Sequence, residues 1–140
     1  MKSWIAYSLL SMLFAGMTAV VAKAGLKDIS SDAAVLIRTV LVLGIVFVQY
    51  LAFHRLGELS QVPGRALAWL GVSALTTALS WIFYYRAVQA GPVSQVALID
   101  KASILVTLAL AVLFLKEPLT PKMWLGGGLM LIGLLILIWK

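Results

Sequence analysis

Apolar runs of roughly 18–25 residues recur five times along this chain, each long enough to cross a bilayer hydrocarbon core of about 30 Å. Short segments rich in Gly, Pro, Ser and charge separate them: KAGLKDISSD, HRLGELSQVPGR, GP and KEPLTPK. A backbone crossing hydrocarbon must satisfy its own N–H and C=O groups, so runs of this length become helices. With 63% hydrophobic and 11% charged residues in a chain of 140, there is too little polar surface for a water-soluble domain. The expected fold is all-α and integral to the membrane, a single domain over residues 1–140. Its five transmembrane helices fall at about 3–22, 33–53, 66–90, 93–115 and 123–139.

The punctuation agrees. Ser30, Ser31 and Asp32 offer N-cap oxygens to span two. Pro63-Gly64 marks a turn, and Gly91-Pro92 couples a helix-ending glycine to a helix-starting proline. Pro118 and Pro121 enforce the last turn. Lys2, an apolar core and Ala22-Lys23-Ala24 resemble a signal peptide, but that core exceeds the usual 7–15 residues and carries polar groups at helical spacing. It is expected to stay as the first helix.

The net charge of +6 comes from basic residues standing singly at the ends of apolar runs, where membrane-flanking Lys and Arg belong, so no nucleic-acid partner is expected. One face collects Lys2, Arg55, Arg65, Lys116 and Lys122, the other Lys23, Lys27, Arg86 and Lys140. Five against four barely instructs orientation, so dual topology is expected. The chain has no cysteine, which excludes disulfides, thiolate metal sites and thiol catalysis. His54 stands in a loop with no second intramembrane carboxylate to complete an acid–base pair, so the expected protein is not an enzyme and needs no cofactor or metal.

Two opposite charges, Asp100 and Lys101, interrupt span four within ALIDKASILVTLAL. A charge at a helix centre costs about 2.5–3.5 kcal/mol on insertion scales, and such residues usually face a polar interior and mark function. From the 1.5 Å helical rise they lie about 10–12 Å below one face, level with Arg38 at about 9 Å on span two. Tyr84 and Tyr85 lie about 9–11 Å down span three and Trp81 nearer 15 Å, while Thr18 and Lys23 end span one on the same side. Sequence neighbours point about 100° apart on a helix, so Asp100 and Lys101 are expected to pair poorly with each other. Arg38 is the ionic candidate for Asp100, leaving Lys101 for a solute.

Helical faces point to the same layer. Ser3, Tyr7, Ser11, Ala15, Thr18 and Ala22 form a small, polar stripe on span one, and Ser73, Thr76, Thr77, Ser80 and Tyr84 form another on span three. On span two Arg38, Val42, Ile45 and Gln49 share a face. The stripes suit a cavity admitting a polar solute, or equally the close packing of membrane helices. Tyr84 and Tyr85 also suit interfacial anchoring, Arg86 is expected to snorkel, and Gly126-Gly127-Gly128 with Gly133 suits packing against another helix.

The motifs WIFYYRA, AGPVS and LFLKEPLT and the glycine-rich last helix (Leu79 to Leu137), with FAGMTAVVAKAGLKDISSDAAVLIRTV before them, resemble the EamA domain of the drug/metabolite transporter superfamily. Most members carry two five-helix repeats in inverted orientation, and this chain resembles the short, single-repeat bacterial and archaeal branch. Many two-repeat members have a proline near the middle of helix four, where this chain reads Ile99-Asp100-Lys101-Ala102-Ser103. The resemblance implies a multi-pass protein of a prokaryotic cytoplasmic membrane, working as an antiparallel homodimer that rebuilds ten helices around a midplane site.

The expected function is alternating-access transport of a small polar metabolite, zwitterionic or anionic. Arg38 and Lys101 supply positive charge, Asp100 tunes it or couples protons, Trp81 and Tyr84 clamp the solute, and Ser11, Thr18 and Ser80 complete the site. Two alternatives stand beside it. One is a proton-coupled exporter of organic cations like the small multidrug resistance proteins, although span one lacks their acidic residue. The other is a non-transporting subunit of a heteromeric carrier.

Overall fold

The computed structural model describes residues 3–139. Among them there is no strand. The helices are α1 (Ser3–Gly25), α2 (Ser31–Phe53), α3 (Gly64–Ala90), α4 (Val93–Asp100), α5 (Ser103–Leu115) and α6 (Pro121–Ile138), with a 3-10 turn at Leu56–Gln61. Four stretches, α1, α2, α3 and Val93–Leu115, are long and apolar enough to cross a membrane, and the apolar part of α6 over Pro121–Leu137 is shorter. The chain divides into two compact units, Met1–Ala90 and Gly91–Lys140.

The first unit is organised at one end. Its buried residues, Ala19, Leu26, Ser31, Ala34, Tyr85 and Val88, come from the last part of α1 and the turn after it, the start of α2 and the end of α3. Large apolar side chains elsewhere, such as Leu36, Val40, Leu43 and Phe83, face outward. That is the distribution expected where the surroundings are hydrocarbon and give no drive to hide apolar groups.

Polar groups fasten the organised end. Ser30 caps α2, its hydroxyl accepting from the Ala33 N–H at 3.3 Å. Gln89 of α3 reaches across: its Oε1 accepts the Ser31 N–H at 3.2 Å and its Nε2 donates to the Ile29 carbonyl at 3.1 Å. The Ser31 N–H is one of the orphan donors of a helix start, and it lies on a buried residue, so this bond replaces water. Lys23 donates to the Val88 and Gln89 carbonyls, in the last turn of α3 where carbonyls lack helical partners and a cation suits the dipole. That bond explains why α1 runs a turn beyond its expected end at residue 22. Arg86 does not merely snorkel: Nε and Nη2 meet Asp32 Oδ1 and Oδ2 at 3.1 and 3.2 Å, a bidentate pair.

At the other end of α2, Tyr50 stacks on His54 with ring centroids 5.0 Å apart, and His54 Nδ1 lies 3.1 Å from Glu58 Oε2. The segment after α2 is therefore a wound turn rather than a plain loop.

The second unit corrects the expectation of one continuous fourth helix. Its 93–115 span is divided at Lys101-Ala102 into α4 and α5. There the Ala102 N–H bonds Ile99 O at 2.9 Å, Ile104 N–H bonds Lys101 O at 3.2 Å and Leu105 N–H bonds Ala102 O at 2.9 Å. These three-residue bonds tighten the helix locally to 3-10 winding, which in mid-helix marks strain or a hinge. No proline or glycine forces the change, and the charged pair sits at it. Lys116 closes α5 with φ 54°, a left-handed residue that is not glycine. Thr120 caps α6, accepting from the Met123 N–H at 3.3 Å, with Pro121 in the first helical position.

Only part of the glycine run serves packing inside this unit. A Cβ on Gly127 would meet Leu108 Cδ1 at 3.3 Å, whereas one on Gly126, Gly128 or Gly133 would meet nothing within 4 Å. Gly127 is what lets α6 approach α5.

Replacing Gln89 by Leu strands the buried Ser31 N–H and is expected to destabilise the protein by about 1–3 kcal/mol. Asp32→Asn breaks a pair whose side chains are more than half exposed and is expected to cost at most about 1 kcal/mol. Thermal unfolding in nanodiscs should rank Gln89→Leu well below Asp32→Asn, and the reverse order would disprove the assignment of the Gln89 bonds as the main fastening.

Candidate substrate site

Arg38 lies two helical turns inside α2, too deep for its side chain to be explained by the loop before it. Its guanidinium carbon sits 4.3 Å from the Trp81 ring centroid and 5.7 Å from that of Tyr85. Trp81 and Tyr85 are four residues apart on α3, so one helical face presents both rings. Attraction between a guanidinium and aromatic faces strengthens where water is excluded. Among the described residues Arg38 has no carboxylate partner and no hydrogen-bond acceptor for its N–H groups. Arg86, by contrast, is paired with Asp32 through Nε and Nη2.

Arg38 borders a cleft of about 540 Å³ within the first unit. Phe14, Met17, Thr18, Val21, Ile37 and Tyr85 are among its walls. A second cleft of about 410 Å³ between α2 and α3 holds Thr39, Ser73, Thr77 and Trp81. Trp81 thus backs Arg38 and also lines a small hydroxyl-bearing surface. The hydroxyl protons are committed locally: Thr18 donates to Phe14 O at 2.8 Å, Thr39 to Val35 O at 2.7 Å, and Thr76 and Thr77 to Ser73 O at 2.9 and 2.8 Å. These four threonines therefore have only their oxygen lone pairs left to offer a solute.

In the second unit Lys101 Nζ lies 3.5 Å from Asp100 Oδ2. The expectation that these neighbours pair poorly is thereby corrected, because the four-carbon lysine stem curls back across the angle between them. Lys101 also lines a crevice of about 190 Å³ with Leu98, Leu105, Met130 and Gly133. Neither unit taken by itself contains an Asp100–Arg38 bridge, since one residue lies in each.

Of the residues expected at the site, the structure brings Arg38 and Trp81 together and sets Thr18 on the same cleft as Arg38. Tyr84 meets Tyr85 edge-on, with centroids 6.2 Å apart and planes at 65°. Ser11 is on α1 two turns from Thr18 and does not line the Arg38 cleft, and Ser80 lines neither of the two clefts described above. The aromatic partner that sequence reasoning placed in the polar layer but did not name at the site is Tyr85, only 4% exposed. Its four-residue spacing from Trp81 is the signal that points to it.

A model of the EamA-like transporter family matches residues 2–139. The chain belongs to that family. It is 41% identical over 136 residues to a protein of a Sinorhizobium species described as an uncharacterized transporter in the cobO 3' region, covering 97% of this chain and 96% of that one. It is also 36% identical over 74 residues, 52% of this chain and 66% of the other, to a Hamiltonella defensa protein described as a probable 4-amino-4-deoxy-L-arabinose-phosphoundecaprenol flippase subunit, ArnE. No solved structure matches significantly. The short EamA chain is thus a multi-pass membrane protein of a family of transporters, not enzymes.

A double-mutant cycle with Arg38→Met and Trp81→Leu is expected to show a coupling of about 0.5–2 kcal/mol in unfolding free energy. A coupling indistinguishable from zero would make the stacking incidental.

Proposed function

We propose that this EamA chain is a subunit of a secondary transporter in the cytoplasmic membrane of a prokaryote, carrying an organic anion or zwitterion by alternating access. The observation that carries the reading is Arg38: a guanidinium two turns inside a membrane helix, oriented by Trp81 and Tyr85, with no carboxylate partner among the described residues of its own unit. A cation kept in that state at intramembrane depth calls for an anionic partner. In the second unit Lys101 offers a further cation for the solute, tempered by Asp100, which also serves as the proton-coupling candidate. The same positive charge disfavours export of organic cations.

Two copies, antiparallel, would complete the pathway and bring both polar layers to the midplane. The division of the 93–115 span at Lys101 supports this, since discontinuous helices are common at transporter sites. A second reading, one half of a heteromeric carrier, is favoured by the relative described as a flippase subunit.

In proteoliposomes Arg38→Ala and Lys101→Ala are each expected to lower flux at least tenfold while assembly is retained, and full flux in both would refute the site. Cysteines placed singly in this cysteine-free chain and labelled from one side test the arrangement. Partial labelling of every loop from either side is expected for antiparallel copies, whereas strictly one-sided labelling favours the heteromeric reading.

A further inference from the structure

The cleft beside Arg38 has a mismatched character for a hydrophilic solute. At about 540 Å³ it has the size of a pocket for a drug-sized ligand, and such pockets are mostly apolar with a few placed polar groups. Here the one charged group is Arg38, and Phe14, Met17, Val21, Ile37 and Leu41 make most of the wall. A small, fully hydrated anion would satisfy the guanidinium and leave that wall facing polar surface. A neutral apolar molecule would fill the wall and leave five N–H donors without acceptors, at the cost that unpaired polar groups carry in an apolar setting.

A helix from a second copy is also a poor occupant. The chain has five acidic residues, Asp28, Asp32, Glu58, Asp100 and Glu117. Asp32 is held by Arg86, Glu58 by His54 and Asp100 by Lys101, while Asp28 and Glu117 lie outside the helices. A protein occupant made from this chain would therefore cover the guanidinium without neutralising it.

We propose that this cleft binds an amphiphilic organic anion: a phosphate or carboxylate that meets the N–H edge of Arg38, carried on an apolar body that lies along Phe14, Met17, Val21 and Ile37. The planar guanidinium presents paired donors that match either oxyanion, and its stacking on Trp81 holds it oriented toward one. This rests on the transporter reading and narrows its substrate class, from organic anions in general to those with a substantial apolar portion.

Trp81 is a built-in reporter because it touches Arg38. In a protein whose other tryptophans (Trp4, Trp69, Trp124 and Trp139) are changed to Phe, placed in phosphatidylcholine nanodiscs, three probes separate the parts of the ligand. ω-Brominated dodecyl phosphate carries both features, ω-brominated dodecanol lacks the anion, and inorganic phosphate, as competitor, lacks the apolar body. Quenching of Trp81 by the brominated phosphate is expected to saturate at a bilayer mole fraction at least tenfold below that needed for the alcohol. Arg38→Gln should erase that preference, Arg38→Lys should retain part of it, and Val21→Phe, which narrows the cleft with Arg38 intact, should weaken phosphate-ester quenching several-fold.

Equal quenching by ester and alcohol would overturn the proposal, as would displacement of the ester by inorganic phosphate at comparable concentration. A second copy as occupant would appear as loss of the dimer in Val21→Phe with no saturable quenching, which also overturns it. Flux in proteoliposomes is read separately: a wild-type protein that binds the ester but transports nothing would refute the transporter reading and leave the binding site standing.

Discussion

The end of α3 holds the first unit together. Gln89 satisfies the first N–H of α2, Lys23 satisfies the last carbonyls of α3, and Arg86 grips Asp32. These are helix-terminal groups that would otherwise need water, and in a chain with so few buried side chains they supply the specificity that a packed core supplies in a soluble domain. With three helix ends fixed at one level, the distances from that level into each helix are fixed as well. Trp81 and Tyr85 then stand on α3 at the height where Arg38 stands on α2.

From this follows the contrast among the cations. Arg86, one turn from the end of α3, finds a carboxylate at the start of α2. Arg38, deeper on α2, meets rings instead, because the facing stretch of α3 carries aromatic and hydroxyl side chains and no acid. Stacking orients a guanidinium without discharging it. Stacking leaves its N–H groups available for the anionic solute proposed above.

Much of this was legible in the sequence. The helical character of each apolar run, the ends near Phe53 and Ala90, the Ser30 cap and the turn at Pro118–Pro121 follow from apolar run length and from residues whose backbone preferences are local. Depth counting placed Arg38 level with Tyr85, with Trp81 about one turn deeper, for the same reason: the rise of a helix is constant. Less legible were the partners. Arg86 read as a snorkelling residue because nothing in its neighbourhood in sequence offers a carboxylate, and Asp32 lies 54 residues away. Tyr85 reads as part of the polar layer but not of the site, because an aromatic residue near a helix end also suits interfacial anchoring.

The sequence by itself determined that this is a helical membrane protein of the EamA family, since hydrocarbon permits apolar runs of this length no other structure and the motifs span nearly the whole chain. Only the tertiary structure decided which charges are neutralised: Arg86 by Asp32, Lys101 by Asp100, Arg38 by no carboxylate of the described residues. It also divided the fourth apolar run at the charged pair, where no proline or glycine marks the place. The physical reason is range. Helix formation and membrane crossing depend on residues a few positions apart, whereas charge pairing depends on which helix ends are fastened side by side.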